Sequence, residues 1–297
     1  MRSYSFMLSA SILFADKHMD LQFRFQTNGG SDSKIVVNKT RLNFIDVGDS
    51  RAKPIILIHA FPLSLEMWKS QIEVLKQSSR VVAYDIRGQG ESEVGDGQYT
   101  MEFFVDDLIG LMDHLKIERA ILCGLSMGGY VSLRTAERNP ERLRALVLCD
   151  TKAEADSNEA KLKRAASIRS IKDRGLEQFA DSQVMSALTE ETFARNPARV
   201  QTAREMILRN SPIGLCGALL AMVSRTDTTT FLPSIRVPTL ILVGDKDNVT
   251  PPDVSKRMHD SIPNSQMRMM PGAAHWSNIE NSQEFNKHLG DFLAKFN

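Results

Sequence analysis

Cys123-Gly124-Leu125-Ser126-Met127-Gly128-Gly129-Tyr130 is the stretch on which the reading of this chain turns. It carries a G-x-S-x-G pattern directly after the apolar run 120–123 and directly before a helical pattern over 130–139 that ends ahead of Pro140. A strand that turns straight into a helix needs a very sharp bend. Its central serine then sits in strained φ/ψ, with neighbouring chain too close for a Cβ at the flanking positions. Gly124 and Gly128 meet that need. The bend lifts Ser126 Oγ to the carboxyl ends of the strands, where open α/β sheets bind ligands, and aims the N–H groups of the new helix at developing negative charge.

Outward from this point, short continuous apolar runs recur at 55–58, 81–84, 120–123, 145–148 and 240–243. Each is strand length and apolar on both pleat faces, as parallel strands covered by helices on both sides require. The run 101–115 carries Phe104, Leu108, Leu111 and Leu115 in a helical stripe, and the last strand and helix are expected over 266–270 and 282–295. An antiparallel hairpin, 35–37 with 42–47 around Asn38-Lys39-Thr40, precedes the first long strand. One interval, 151–236, has no strand pattern and instead offers helices over 161–174, 176–188, 197–210 and 212–224, with Gly175, Pro197 and Pro212 at their boundaries. It is read as a helical cap, or lid, at 151–236, inserted in a core made of 31–150 and 237–297. Residues 1–30 form an N-terminal extension.

Composition narrows the function. The 297 residues are 42% hydrophobic and 25% charged, the ordinary globular mix. With 37 Lys and Arg against 36 Asp and Glu and no basic run, the chain has no electrostatic footprint for nucleic acid. No stretch reaches the roughly 20 apolar residues of a membrane span. Cys123, Cys149 and Cys216 are too scattered for a disulfide framework or a zinc site, and read as small buried residues with free thiols. No metal and no cofactor is expected. Around Arg2 and the apolar stretch 6–15 the start imitates a signal peptide, but with a single positive charge and a core broken by Ser9 and Ser11. The expectation is a cytoplasmic protein with Met19 an alternative start, and secretion is the alternative that the signal-like segment leaves open.

A serine hydroxyl is a weak nucleophile and needs a base held by a third group. Of six histidines, His18 falls in the extension and His114, His259 and His288 on predicted helices. His275, in Pro271-Gly-Ala-Ala-His-Trp276, follows the last strand at the catalytic edge of the sheet and is the candidate base. Val243-Gly-Asp-Lys-Asp247 ends another core strand. Asp247 is the candidate acid, with Asp245 nearby and Asp150, at the end of the strand before the cap, as competitor. Backbone N–H groups of Phe61 and Met127 are the candidate oxyanion hole, and His59 is read as fixing the Phe61 loop by a hydrogen bond. Phe179, Met185, Met206 and Met222 of the cap are either acyl-pocket lining or plain core. The G-x-G of Asp85-Ile-Arg-Gly-Gln-Gly-Glu-Ser92 lacks the third glycine of a dinucleotide fingerprint and the Lys of a P-loop, so it is a turn stiffened by Asp and Arg.

Taken together, His59-Ala-Phe-Pro62, Asp85-x-Arg-Gly-x-Gly-x-Ser92, Gly124-Leu-Ser-Met-Gly-Gly129, Gly244-x-x-Asp247 with Pro251, and Gly272-x-x-His275 with Glu280 resemble the α/β-hydrolase superfamily, in particular its lid-bearing bacterial esterases and lactonases. The resemblance covers residues 34–296 and implies a mostly parallel eight-stranded sheet flanked by helices. It also implies a Ser126, Asp247, His275 triad in the nucleophile-acid-histidine order. The family usually has Gly where this chain has Ala60, which a negative φ would accommodate; members that cleave carbon–halogen bonds or epoxides have Asp where this chain has Ser126. Ala194-Arg-Asn-Pro197 is similar to relatives labelled 3-oxoadipate enol-lactonases. The implied activity is cofactor-free hydrolysis of small carboxylic esters by a monomer or homodimer. The alternatives are a lactonase such as 3-oxoadipate enol-lactonase, a carbon–carbon bond hydrolase, a perhydrolase, and a ligand-binding module on the same scaffold.

Overall fold

The computed structural model describes residues 33–296. The signal-like segment, His18, Met19 and the whole of the proposed extension lie outside them. Strands β1 (Ser33–Val37), β2 (Thr40–Val47), β3 (Pro54–Ile58), β4 (Arg80–Tyr84), β5 (Ala120–Leu125), β6 (Leu143–Cys149), β7 (Thr239–Gly244) and β8 (Ser265–Met270) form one sheet in the order β1-β2-β4-β3-β5-β6-β7-β8. β2 runs antiparallel to both of its neighbours, and from β4 to β8 all pairs are parallel. The chain has the eight-stranded, mostly parallel α/β-hydrolase fold.

The apolar runs are where the sheet is most enclosed: β5 and β7 are buried along their whole length, while β1 and β8, at the edges, are not. The hairpin is tighter than the sequence pattern suggests, because Asn38 and Lys39 both take positive φ (48° and 62°) and close a two-residue turn, leaving Thr40 to start β2.

Around the sheet lie α1 (Lys69–Leu75), α2 (Met101–His114), α3 (Met127–Arg138), α9 (Pro252–Ser261), α10 (Ser277–Glu280) and α11 (Ser282–Leu293). Between β6 and β7 come α4 (Asn158–Arg174), α5 (Leu176–Ala187), α6 (Glu190–Arg195), α7 (Pro197–Leu208) and α8 (Pro212–Val223). Local chemistry sets their ends. Thr100 and Ser157 cap α2 and α4 through their hydroxyls, Gly175 at φ 78° stops α4, and Pro197 and Pro212 open α7 and α8. Two details depart from the sequence pattern. Helix α3 starts at Met127 instead of Tyr130, because packing around Gly128 and Gly129 overrides their poor helix propensity. The six-residue α6, started by the Thr189 cap, is too short to show a periodicity.

The inserted helices meet the core in two ways. Helix α8 sits flush on the loop after β4: a Cβ on Gly214 would lie 1.8 Å from the Gly88 carbonyl oxygen, so backbone rests on backbone. The other end is tied together by charges within the block, and one guanidinium reaches the core. Buried Asp156, just before α4, pairs with Arg225 just after α8 (2.7 Å), with Arg164 and with Lys152, while the Arg225 guanidinium lies 4.0 Å over the ring of Tyr130 in α3. Burial pushes the Asp156 carboxyl up, but the hydrogen bonds and charges of Arg164 and Arg225 outweigh it and hold it down at about 2.

Candidate active site

Ser126 stands between β5 and α3 at φ 52°, ψ −109°, a conformation that only a firmly braced residue keeps. The braces are visible: its N–H donates to the Cys149 carbonyl (2.9 Å), and its own carbonyl accepts from the N–H groups of Gly129 (2.9 Å) and Tyr130 (3.1 Å) and from Thr151 Oγ1 (2.8 Å). A Cβ on Gly124 would lie 2.1 Å from the Gly128 carbonyl oxygen, and one on Gly128 would lie 2.1 Å from that of Ile58. The second contact seats the start of α3 directly against the loop that leaves β3. Cys123 and Cys149 are buried beneath the bend with their sulfurs 4.0 Å apart; Cys216, expected to be buried, is half-exposed on α8.

The three residues expected to act together are brought together. His275 Nε2 lies 2.9 Å from Ser126 Oγ, and its Nδ1 lies 2.9 Å from Asp247 Oδ2. With the carboxylate accepting, Nδ1 carries the ring proton and Nε2 is left to accept from the serine hydroxyl. Asp247 Oδ1 accepts from the Val249 and Thr250 N–H groups, and Oδ2 accepts from Thr250 Oγ1 at 2.7 Å. Burial pushes this carboxyl up, but the neighbouring His275 and the hydrogen bonds from His275 and Thr250 hold it below its ordinary range. All three side chains are buried, Ser126 at 9% exposure.

The other candidates fall elsewhere. Asp150, the competing acid, does not face His275. It takes positive φ (43°), accepts from the Gly244 N–H at 2.8 Å and from Ser277 Oγ, and so staples β7 to the start of α10. Burial pushes its carboxyl well up, and the nearby Asp247 charge adds to that. Asp245 accepts from the Gly272 N–H (2.9 Å) and props the histidine loop from the side. His259 and His288 sit on α9 and α11, bonded to Ser265 and Glu284.

Phe61 lies in the loop that leaves β3, and Met127, just past the paired strand β5, opens α3, where a helix has no internal acceptor for its N–H. His59 accepts from the Ile86 N–H at Nε2 (2.9 Å) and contacts the Ala60 carbonyl through Nδ1 (3.0 Å). Burial lowers its pKa to about 4, the Ala60 contact opposing only in part, so the ring is a neutral tie between the loops after β3 and β4. Ala60 takes negative φ, which answers the departure from Gly at that place. In the loop after β4, Asp85 accepts from the Leu65 and Glu91 N–H groups, and Arg87 pairs with buried Asp107 through two bonds: a stiffened turn.

From the inserted block, Phe179 meets Phe61 edge to face at 6.1 Å; Met206 and Met222 are buried, whereas Met185 is 71% exposed and lines nothing. An open groove of about 510 Å³ lies between α7 and the core, walled by Met67, Arg199, Ala203, Met206, Asn278 and Ile279 with Glu66, Lys69 and Glu73 at its rim; Ser126, Asp247, His275 and Phe61 do not line it. Met67 also accepts from the Ala60 N–H. Among the described residues no cluster of three or more His, Cys, Asp or Glu side chains is arranged to hold a metal ion, and no single helix is long and apolar enough to cross a membrane. Two partners escaped the sequence reading: the Thr250 hydroxyl, signalled only by its place in the turn after Asp247, and the contacts of Glu280, described below.

The alpha/beta hydrolase fold family model matches residues 53–282, and the chain belongs to that family. Within it, the chain is 28% identical over 256 residues to 3-oxoadipate enol-lactonase 2 of Acinetobacter baylyi, covering 86% of this chain and 94% of that one. A thermophilic esterase from Thermogutta terrifontis superposes with a TM-score of 0.85 at 38% identity, covering 89% of this chain and 98% of that one. The enol-lactonase from Burkholderia xenovorans superposes with a TM-score of 0.83 at 32% identity, covering 88% of this chain and all (100%) of the other. Relatives of this kind support a hydrolase acting on small molecules.

Proposed function

We propose that this chain is a serine esterase that cleaves carboxylic esters through an acyl-enzyme. The observation that carries the reading is the continuous relay from Ser126 Oγ through His275 to Asp247, at 2.9 Å in both steps. On this reading His275 takes the hydroxyl proton as Ser126 attacks the ester carbonyl, and Asp247 stabilises the imidazolium. The N–H groups of Phe61 and Met127 hold the oxyanion; loss of one such donor typically costs about 3 to 4 kcal/mol of transition-state stabilisation. His275 then protonates the leaving alcohol, and a water deprotonated by the same ring releases the acid. Residues 151–236 act as a lid over a core of 31–150 and 237–297, and the three cysteines suit the reducing cytoplasm.

A lactone is the second substrate class, favoured by the similarity to two enol-lactonases. A matched panel of nitrophenyl esters, methyl esters and lactones, assayed with wild type and Ser126→Ala, tests both. Turnover of short esters by wild type alone is expected. A lactone preference above about 100-fold, roughly 2.7 kcal/mol in transition-state binding, selects the second class. Stoichiometric phosphonate labelling without turnover indicates a ligand-binding module.

A further inference from the structure

The Glu280 carboxylate is surrounded by donors from two parts of the chain. Oε1 accepts from the Thr189 N–H (2.7 Å), Thr189 Oγ1 (2.8 Å) and Thr192 Oγ1 (2.6 Å), all at the α5–α6 junction of the inserted block. Oε2 accepts from the N–H of Ala274, the residue before His275, at 2.6 Å. Four donors and no acceptor face this group, the pattern of an ionised carboxylate. Two backbone contacts run alongside: Trp276 N–H donates to the Ala187 carbonyl (3.2 Å), and Arg199 donates to the Glu280 carbonyl (2.8 Å). The histidine loop is thus held to the core by Asp245 and to the inserted helices by Glu280.

We infer that Glu280 is a positioning residue that joins the seating of the inserted helices to the alignment of His275, so that the base is in register with Ser126 only while the α5–α6 junction is docked. This rests on the serine hydrolase reading above. Neither Glu280 nor the two threonines touches Ser126 or the substrate carbonyl in that reading. Their effect travels through the Ala274 peptide, and a base displaced by about 1 Å costs on the order of 100-fold in rate.

Two variants test it. In Glu280→Gln the amide turns donors toward donors. In Thr189→Val with Thr192→Val the Ala274 bond survives while the two hydroxyl links to the block are cut. The readouts are kcat per active site titrated with a phosphonate, KM for the ester that wild type cleaves, and the thermal melting curve. Expected are a fall in kcat of about 30-fold for Glu280→Gln and about 10-fold for the threonine pair, with KM moving less than about 3-fold in both. A structural prop alone would lower the melting temperature and leave kcat per titrated site unchanged. Wild-type kcat in the threonine pair overturns the inference, whatever Glu280→Gln does, and that pair decides alone if Glu280→Gln does not fold. Ser126→Ala retaining turnover would remove the hydrolase reading and this inference together; an inactive Ser126→Ala beside a fully active threonine pair removes only the inference.

Discussion

In the central sheet, β5 and β7 are closed to solvent along their whole length, whereas α4 of the inserted block buries only Ile171 and leaves Leu162 71% exposed. The core's cohesion is apolar and its functional groups are braced by backbone hydrogen bonds. The block shares that apolar core through α5, α7 and α8, and adds polar joints to it where Arg225 lies over Tyr130 and where Glu280 meets Thr189 and Thr192. A molecule built this way keeps the atoms of the proposed relay preorganised while its inserted block is joined to the core partly through polar groups.

The largest expected effect lies in the core. On the serine esterase reading, Ser126→Ala should lower kcat by about 10⁴-fold or more with an unchanged melting temperature, because it removes only the proposed nucleophilic hydroxyl; steady-state kinetics beside a thermal melt check both halves. Gly128→Ala should cost about 3 to 4 kcal/mol in a urea melt, since its Cβ meets the Ile58 carbonyl oxygen, a backbone atom with nowhere to go.

Acid separates the two regions. His59 has its folded pKa lowered to about 4 against an ordinary 6.5, so the neutral ring's contribution is complete above 6.5 and is lost as pH falls from there to 4. That amounts to about 3 kcal/mol, and His59→Gln should flatten the stability curve over this window. Asp156 is held at about 2, so its contribution is complete above the ordinary carboxylate range, near 4, and is lost only as pH falls toward 2. Its size is on the order of 2 kcal/mol, and Asp156→Asn should remove that low-pH limb while leaving the His59 window intact. Urea melts between roughly pH 2 and 7 distinguish the two, and a single shared transition limb would break the contrast. At the small end, Leu162→Ser should change stability by no more than about 0.5 kcal/mol.

Much of this architecture is readable in the residues because burial on both faces turns strands such as 55–58 and 240–243 into unbroken apolar runs, and because Gly, Ser, Thr and Pro punctuate helices through local chemistry. Ser126 and His275 stand out for the same reason: each sits in a turn whose neighbours have few other uses. The choice between Asp247 and Asp150 was open because both end strands, β7 and β6, that are adjacent in the sheet, and only the tertiary turn at Asp150 sends its carboxylate toward Gly244 and Ser277. The role of Glu280 was beyond the sequence altogether, since its donors at Thr189 and Thr192 lie about ninety positions away and no local pattern links them.

Helix α8 has a further consequence. Where Gly214 rests on the Gly88 carbonyl the contact is backbone on backbone, and beside it Gly217 is pressed against the Gly97 carbonyl and the Tyr99 ring, so the seam has little room to slide. On the lid reading, that flank behaves as a doorframe, and widening of the way in falls to the flank along α5 to α7. Loop grafts intended to alter substrate choice then belong along α5 to α7 and not along the fixed helix.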